Sequence, residues 1–234
     1  MNSNFIRFGI AAAAVVLAVV LGINFLVPNV GGDTEPTASP SAAASPSALP
    51  PGVDQPLSAG TYTLGDGFPV GITFEVPEGW VSCSAGPVDQ GVCKLSTDTE
   101  PGSGVGFLIV DNVVADPCGP SNELLDPPVG PSVDDLVAAI SSLEGFEATA
   151  PLDLTVDGFN GKQFTLTAPA TEGCGGTWAT ESRTNGVGPS EINLLRILDV
   201  DGVRVVITAA HSPEASAEQV SALEQVIASV HIEP

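Results

Sequence analysis

The chain has 234 residues, with 28 Asp and Glu against six Lys and Arg, for a net charge of −22. That balance argues against DNA, RNA and anionic lipid surfaces as partners, because phosphate contact needs Lys and Arg. An acidic surface of this kind keeps an exported protein soluble; calcium or a cationic partner is the sharper alternative.

Phe8–Val27 is an apolar run of 20 residues broken only by Asn24 and two glycines. A helix of that length spans about 30 Å, the thickness of a bilayer's hydrocarbon core. Arg7 precedes it and the first charges after it are Asp33 and Glu35. The positive-inside rule then places residues 1–7 in the cytoplasm and the rest of the chain outside. A cleaved signal peptide is the competing reading. However, the run is longer than the usual apolar core of about 7–15 residues, and the Ala42-x-Ala44 pattern lies well downstream of it. The expectation is a single-pass, uncleaved anchor over 8–27, so the membrane is the first partner. From Pro28 to Pro56 the chain holds seven prolines among Ser, Ala, Thr and Gly. Residues 28–58 therefore read as a disordered stalk, and 59–234 as one extracytoplasmic domain.

Within that domain Gly60–Thr63 and Gly71–Val76 read as strands, followed by the turn Pro77-Glu78-Gly79 and a strand from Trp80 to Cys83. Val105–Val114 reads as one strand, with Phe107-Leu108-Ile109-Val110 apolar on both faces and so central to a sheet. Asp116–Pro131 carries five prolines and forms a long connection. Ser132 caps a helix in which Val133, Leu136, Val137, Ile140 and Leu143 form one stripe, ended by Gly145. Strands follow over Phe146–Val156 (interrupted at Pro151), Lys162–Ala168 after a turn at residues 157–161, and Thr177–Arg183. Ile192–Val200 and Val203–Ala210 make a hairpin about Asp201-Gly202, with Asp199 and Arg204 as a cross-strand ion pair. Ser212-Pro213 opens a last helix to about Ser229, with Val220, Leu223, Ile227 and Val230 inward. The order predicts an α+β domain, an antiparallel sheet with two amphipathic helices packed on it.

Four cysteines, Cys83, Cys93, Cys118 and Cys174, with no Cys-x-x-Cys pair, read as two disulfides in an exported chain. Three connectivities exist; Cys83–Cys93 with Cys118–Cys174 is preferred, because Ala85-Gly86-Pro87 between the first two is turn-like.

Three motifs together resemble the PsbP-like and LpqN-lipoprotein-like group of exported α+β domains. They are Phe74-Glu75-Val76-Pro77-Glu78-Gly79-Trp80, Val156-Asp157-Gly158-Phe159-Asn160-Gly161-Lys162-Gln163, and the helix closing in Val226-Ile227-Ala228-Ser229-Val230. The resemblance covers most of residues 59–234 and implies a binding or assembly role. The disulfides and the Asp116–Pro131 segment depart from the group's pattern.

No catalytic constellation stands out. The two histidines, His211 and His231, have no Gly-x-Ser-x-Gly elbow to serve. Asp199-Val200-Asp201-Gly202 lacks the remaining acids of a calcium loop and is better explained as a hairpin turn. Trp80 and Trp178 read as packing residues. Arg196 shares a face with Leu194, Leu198 and Val200, where a guanidinium needs a carboxylate or backbone carbonyls. It is the one candidate ligand-binding residue, either a structural bridge or an anchor for an acidic ligand. No cofactor or metal is expected. The leading expectation is a non-catalytic module that binds an envelope protein or cell-wall ligand. An anchored hydrolase with an unfamiliar site is the alternative, favoured if Arg183 or Arg196 meets His211 and acids in one pocket.

Overall fold

The computed structural model describes residues 45–181 and 183–233. The apolar run Phe8–Val27 and the first part of the expected stalk lie outside the described residues. Among those described, no helix is long and apolar enough to cross a membrane.

In chain order the strands β1 (Ser47–Ala48), β2 (Val53–Pro56), β3 (Gly60–Thr63), β4 (Gly71–Val76), β5 (Val81–Cys83), β6 (Asp89–Lys94), β7 (Ser103–Ile109) and β8 (Asn112–Val113) precede α1 (Val133–Ser141). Then come β9 (Glu147–Ala148), β10 (Leu152–Val156), β11 (Phe159–Thr167), β12 (Gly176–Ala179), β13 (Thr184–Gly186), β14 (Ile192–Val200) and β15 (Val203–His211). The chain closes with α2 (Ala217–Ala228) and β16 (His231–Glu233). They form a large sheet in the order β10-β11-β14-β15-β7-β6-β5-β2, with β9 added beside β11. Two smaller sheets run β1-β3-β4-β16 and β13-β12-β8. All pairings are antiparallel except β1 with β3, so the class is α+β.

The large sheet is covered on both faces, which is why its central strands read as apolar throughout. Val105, Phe107, Leu198, Val205 and Ile207 face α2 and the four-stranded sheet. There Phe74 of β4 meets Phe107 of β7 with ring centroids 4.7 Å apart. Leu108, Leu195, Ile197 and Val206 point the other way, onto Leu136 and Ile140 of α1 and Trp178 of β12. Trp80 follows Gly79, whose φ of +81° turns the chain, and is buried to 2% exposure in the α2-side core.

Several expectations change. Paired structure is present ahead of residue 59: Ser47 and Ala48 pair with Tyr62 and Thr63, and Leu49 is buried. The strand expected over Val105–Val114 is two: at Asp111, whose N–H donates to the Ala179 carbonyl, the chain leaves the large sheet for the small one. Thr177–Arg183 is divided by a turn in which Thr180 N–H donates to Arg183 O, before β13 returns along β12. The turn expected at residues 157–161 is only Asp157-Gly158, both at positive φ, with Val156 opposite Phe159. It is the same two-residue hairpin device as Asp201-Gly202.

Helix α2 starts after Ser216, not Ser212. Ser216 and Gln219 close a reciprocal capping box that satisfies two end-of-helix donors. Ser212, with Ala215 three residues on, offers only a local turn. Asp199 and Arg204 are directly opposite as expected, but no ion pair forms between them. Arg204 donates instead to the carbonyls of Val110, Gly130 and Ser132, fixing the loop that leads into α1. Asp199 accepts from Gly202 N–H at 2.8 Å and holds the hairpin turn.

Candidate functional site

The α1 side of the large sheet is apolar over β11, β14 and part of β15, but it changes character toward β7 and β6. There the inward positions are Gly104 and Gly106 of β7, Gly91 of β6, and Thr208 and Ala210 of β15. Gly91 lies directly opposite Gly106, and Cys93 opposite Gly104. Thr208 and Ala210 complete the row across β15. Each glycine costs a strand roughly 0.5–1 kcal/mol relative to alanine, so a run of them in central strands marks space that is kept open or a close approach. At Gly91 and Gly104 part of the reason is local: a Cβ would press on the Val105 carbonyl and on the Cys93 sulfur. At Gly106 a Cβ would meet only Thr208 Cγ2 at 3.1 Å and Leu108 Cδ1 at 3.5 Å, both neighbours in the sheet. No covering layer lies within 4 Å of that position.

The result is a cleft of about 500 Å³ with a floor of backbone and small side chains. The Cys83–Cys93 disulfide borders the floor and ties β5 to β6. The wall is the β12–β13 hairpin, which contributes Trp178, Arg183 and Asn185. Arg183 joins wall to floor: its Nε donates to Asp89 Oδ2 at 2.7 Å. The Asp89 side chain is 7% exposed and that of Arg183 51%. The two terminal nitrogens of Arg183 make no hydrogen bond among the described residues. Lys94, at the end of β6, lines the same cleft and forms no ion pair among the described residues.

Among the described residues five buried side-chain polar atoms have no hydrogen-bond partner, and three of them belong to cleft residues: Ser103 Oγ, Trp178 Nε1 and Asn185 Nδ2. Unpaired buried donors cost roughly 1–3 kcal/mol each and call for a partner. A second cleft of about 350 Å³ lies between α1 and the β10–β11 hairpin and has one such atom, Arg204 Nε. Its Lys162 is paired with Asp153 at 2.6 Å, and its Arg204 donates to backbone carbonyls. That ion pair holds Asp153 below and Lys162 above their ordinary values, in each case mainly through the shared hydrogen bond.

The sequence-derived candidates fall elsewhere or into supporting roles. Arg196 lies on the α2 side of the sheet, where its Nε donates to Gln163 Oε1 at 2.8 Å and its Nη1 to Ile227 O at 3.3 Å. Ile227 O is at the C-terminal end of α2, where a cation complements the helix dipole. Burial pulls the Arg196 guanidinium below its ordinary value. His211, whose Nδ1 sits 2.8 Å from Ser212 O, lines a small apolar groove beside α2 with Glu224, and neither Arg183 nor Arg196 joins it there. The four cysteines pair as Cys83–Cys93 and Cys118–Cys174. Among the described residues no three His, Cys, Asp or Glu side chains come together as a metal site. The glycine floor was missed in the sequence although Gly102, Gly104 and Gly106 alternate at strand period, which is the signal of a bare sheet face.

No family model and no curated protein sequence matches the chain. Among solved structures it is similar to the solution structure of cyanobacterial PsbP (CyanoP) from Synechocystis sp. PCC 6803. That match has 16% sequence identity and a TM-score of 0.40 over 75% of this chain and 93% of that one. It is also similar to LpqN of Mycobacterium tuberculosis, described as involved in cell envelope biogenesis, at 15% identity and a TM-score of 0.35 over 75% of this chain and 92% of that one. The two belong to the PsbP-like and LpqN-like group that the sequence motifs resemble.

Proposed function

We propose that this chain is a membrane-anchored, extracytoplasmic, non-catalytic binding module whose ligand enters the glycine-floored cleft over β6 and β7. The observation that carries the reading is the bare sheet face at Gly106, walled by Trp178 and Asn185 with unpaired donors. A sheet face stripped of side chains in the middle of an otherwise filled sandwich is space that folding alone does not need. Pairing of all four cysteines supports an oxidising compartment, and the Phe8–Val27 run supports the anchor. Neither histidine lines the cleft, so a histidine base is not at hand there.

The test is thermal unfolding of the oxidised chain against calcium, a chelator, glycans, peptidoglycan fragments, lipids and metabolites. A ligand at a hundred times its Kd adds about 2.7 kcal/mol, a shift of several degrees for a domain of this size. The shift should vanish in Gly106→Val, which fills the floor. Ligands that stabilise the parent and the Gly106→Val variant equally would place binding elsewhere and end the cleft reading.

A further inference from the structure

We infer that the cleft is built for a small oxyanion, a ligand whose carboxylate or phosphate lies against Arg183 and Lys94; this rests on the cleft reading above. The argument is an inventory of what its walls still lack. Of the unsatisfied groups, two are donors only and the Ser103 hydroxyl can donate or accept. Arg183 spends only Nε on Asp89, which leaves its two terminal nitrogens for a second, bidentate acceptor. Lys94 carries three N–H donors and no acceptor, and no bond to either is made within the described residues. Trp178 Nε1 and Asn185 Nδ2 donate and cannot accept, and both lack a partner.

The carboxylates lining the cleft, by contrast, are committed. Asp89 Oδ2 accepts from Arg183. Glu191 Oε1 accepts from Asn193 Nδ2 at 3.0 Å and Glu191 Oε2 from Gly188 N–H at 3.1 Å. Asn193 Oδ1 is likewise taken by the Thr208 hydroxyl. A ligand that completes this set must bring acceptors, and with the Arg183 guanidinium in the wall and Lys94 at the border, acceptors that carry negative charge. The placement is notable in a chain with six bases in all. Of the five in the described part, Lys162, Arg196 and Arg204 are engaged by groups of the chain itself. The other two, Arg183 and Lys94, both line this cleft. The floor sets the ligand's shape: with Gly104 and Gly106 beneath, it lies flat on the sheet. The occluded donors of Trp178 and Asn185 meet it only as those side chains turn inward.

The experiment is a fluorescence titration of the oxidised full-length chain in a non-ionic detergent, read by Trp178 and cross-checked by the thermal midpoint. The probes are inorganic phosphate, N-acetyl-Ala-Ala as free acid and as C-terminal amide, and glucose 1-phosphate beside glucose. The expected result is saturable binding of a carboxylate or a phosphate probe, with its neutral counterpart at least about tenfold weaker, as loss of charge-assisted bonds implies. The two acid arms tell which oxyanion is preferred. Lys94→Gln, which breaks no ion pair among the described residues, should weaken the anion severalfold and leave the neutral counterpart unchanged, and Gly106→Val should abolish both. Equal binding of acid and amide, abolished by Gly106→Val, overturns the oxyanion inference and leaves the cleft reading standing. Anion binding that ignores Lys94→Gln and Gly106→Val overturns both. No response to any probe at about 10 mM, well above ordinary metabolite affinities, overturns the inference alone.

Discussion

Gly161 stands where β11 crosses β14 so closely that a Cβ would run into the Ile197 carbonyl and the Leu198 side chain. Gly161→Ala should therefore cost at least about 2 kcal/mol in urea denaturation, because a backbone atom cannot rotate away. Gly158→Ala, three residues earlier, meets nothing within 4 Å but keeps a φ of +90°, and its cost should stay near about 1 kcal/mol. Both glycines sit in one of the motifs that drew the resemblance, and their roles differ: one shapes a turn, the other spares a backbone. Arg196 is legible in a similar way. Alternation placed it on the apolar α2-facing side; the partners it found, Gln163 and the end of α2, are 33 and 31 residues away. Arg196→Met keeps the stem's packing but drops both bonds, so about 1–3 kcal/mol of stability should be lost, with no change in cleft binding.

Helix caps were legible as motifs, one of them in place and the other displaced by four residues. Ser132 capped α1 as expected, with its hydroxyl accepting from Asp135 N–H and Asp135 accepting from Ser132 in return. The Ser132 hydroxyl first, then its backbone N–H, and to a lesser degree Arg204, hold the Asp135 carboxyl below its ordinary value. A carboxyl lowered by folding stabilises fully above its unfolded value, near about 3.9, and that contribution is lost as pH falls through the lower folded value. The gap in melting temperature between parent and Asp135→Asn should thus be wide near about pH 6 and narrow toward about pH 3; a gap independent of pH would refute the assignment. For α2, Ser216→Ala should cost about 1 kcal/mol and Ser212→Ala much less. Ser212-Pro213 set the expected start four residues early; the reciprocal Ser216-x-x-Gln219 box carries the cap. The hairpin at Asp201-Gly202 and the central position of Phe107–Ile109 were legible because each depends on neighbours in the chain or on alternation. The crossing at Asp111 and the division of β12 from β13 were not, because they are set by which sheet the strand joins. The site suffered the same way: its floor is a pattern of absent side chains, and its wall comes from a hairpin seventy or more residues later.

On the scale of the whole molecule the two disulfides brace different ends of one system. Cys83–Cys93 closes a separation of 10 residues at the border of the cleft, and Cys118–Cys174 one of 56 between the proline-rich connection and the segment leading into the wall. In the chain-entropy picture the longer loop contributes about 4 kcal/mol and the shorter about 3. Cys118→Ser with Cys174→Ser should therefore lower the thermal midpoint more than the Cys83, Cys93 double replacement. Net charge bears on the same cleft in a way that separates its local chemistry from the molecule's field. With 28 acids and six bases, the chain repels any small anion at long range, while Arg183 and Lys94 attract it at contact. Salt acts on these unequally: the Debye length falls from about 30 Å at 0.01 M to about 8 Å at 0.15 M. The distant carboxylates are thereby silenced, while a pair in direct contact within a cleft is screened much less. Binding of the phosphate or free-acid probe should consequently tighten as salt is raised over that range, opposite to an anion site on a basic protein. Isothermal titration at the two salt concentrations checks this. An affinity that falls with salt would mean that attraction by the cleft's own exposed cations, which salt screens, outweighs the repulsion of the distant carboxylates.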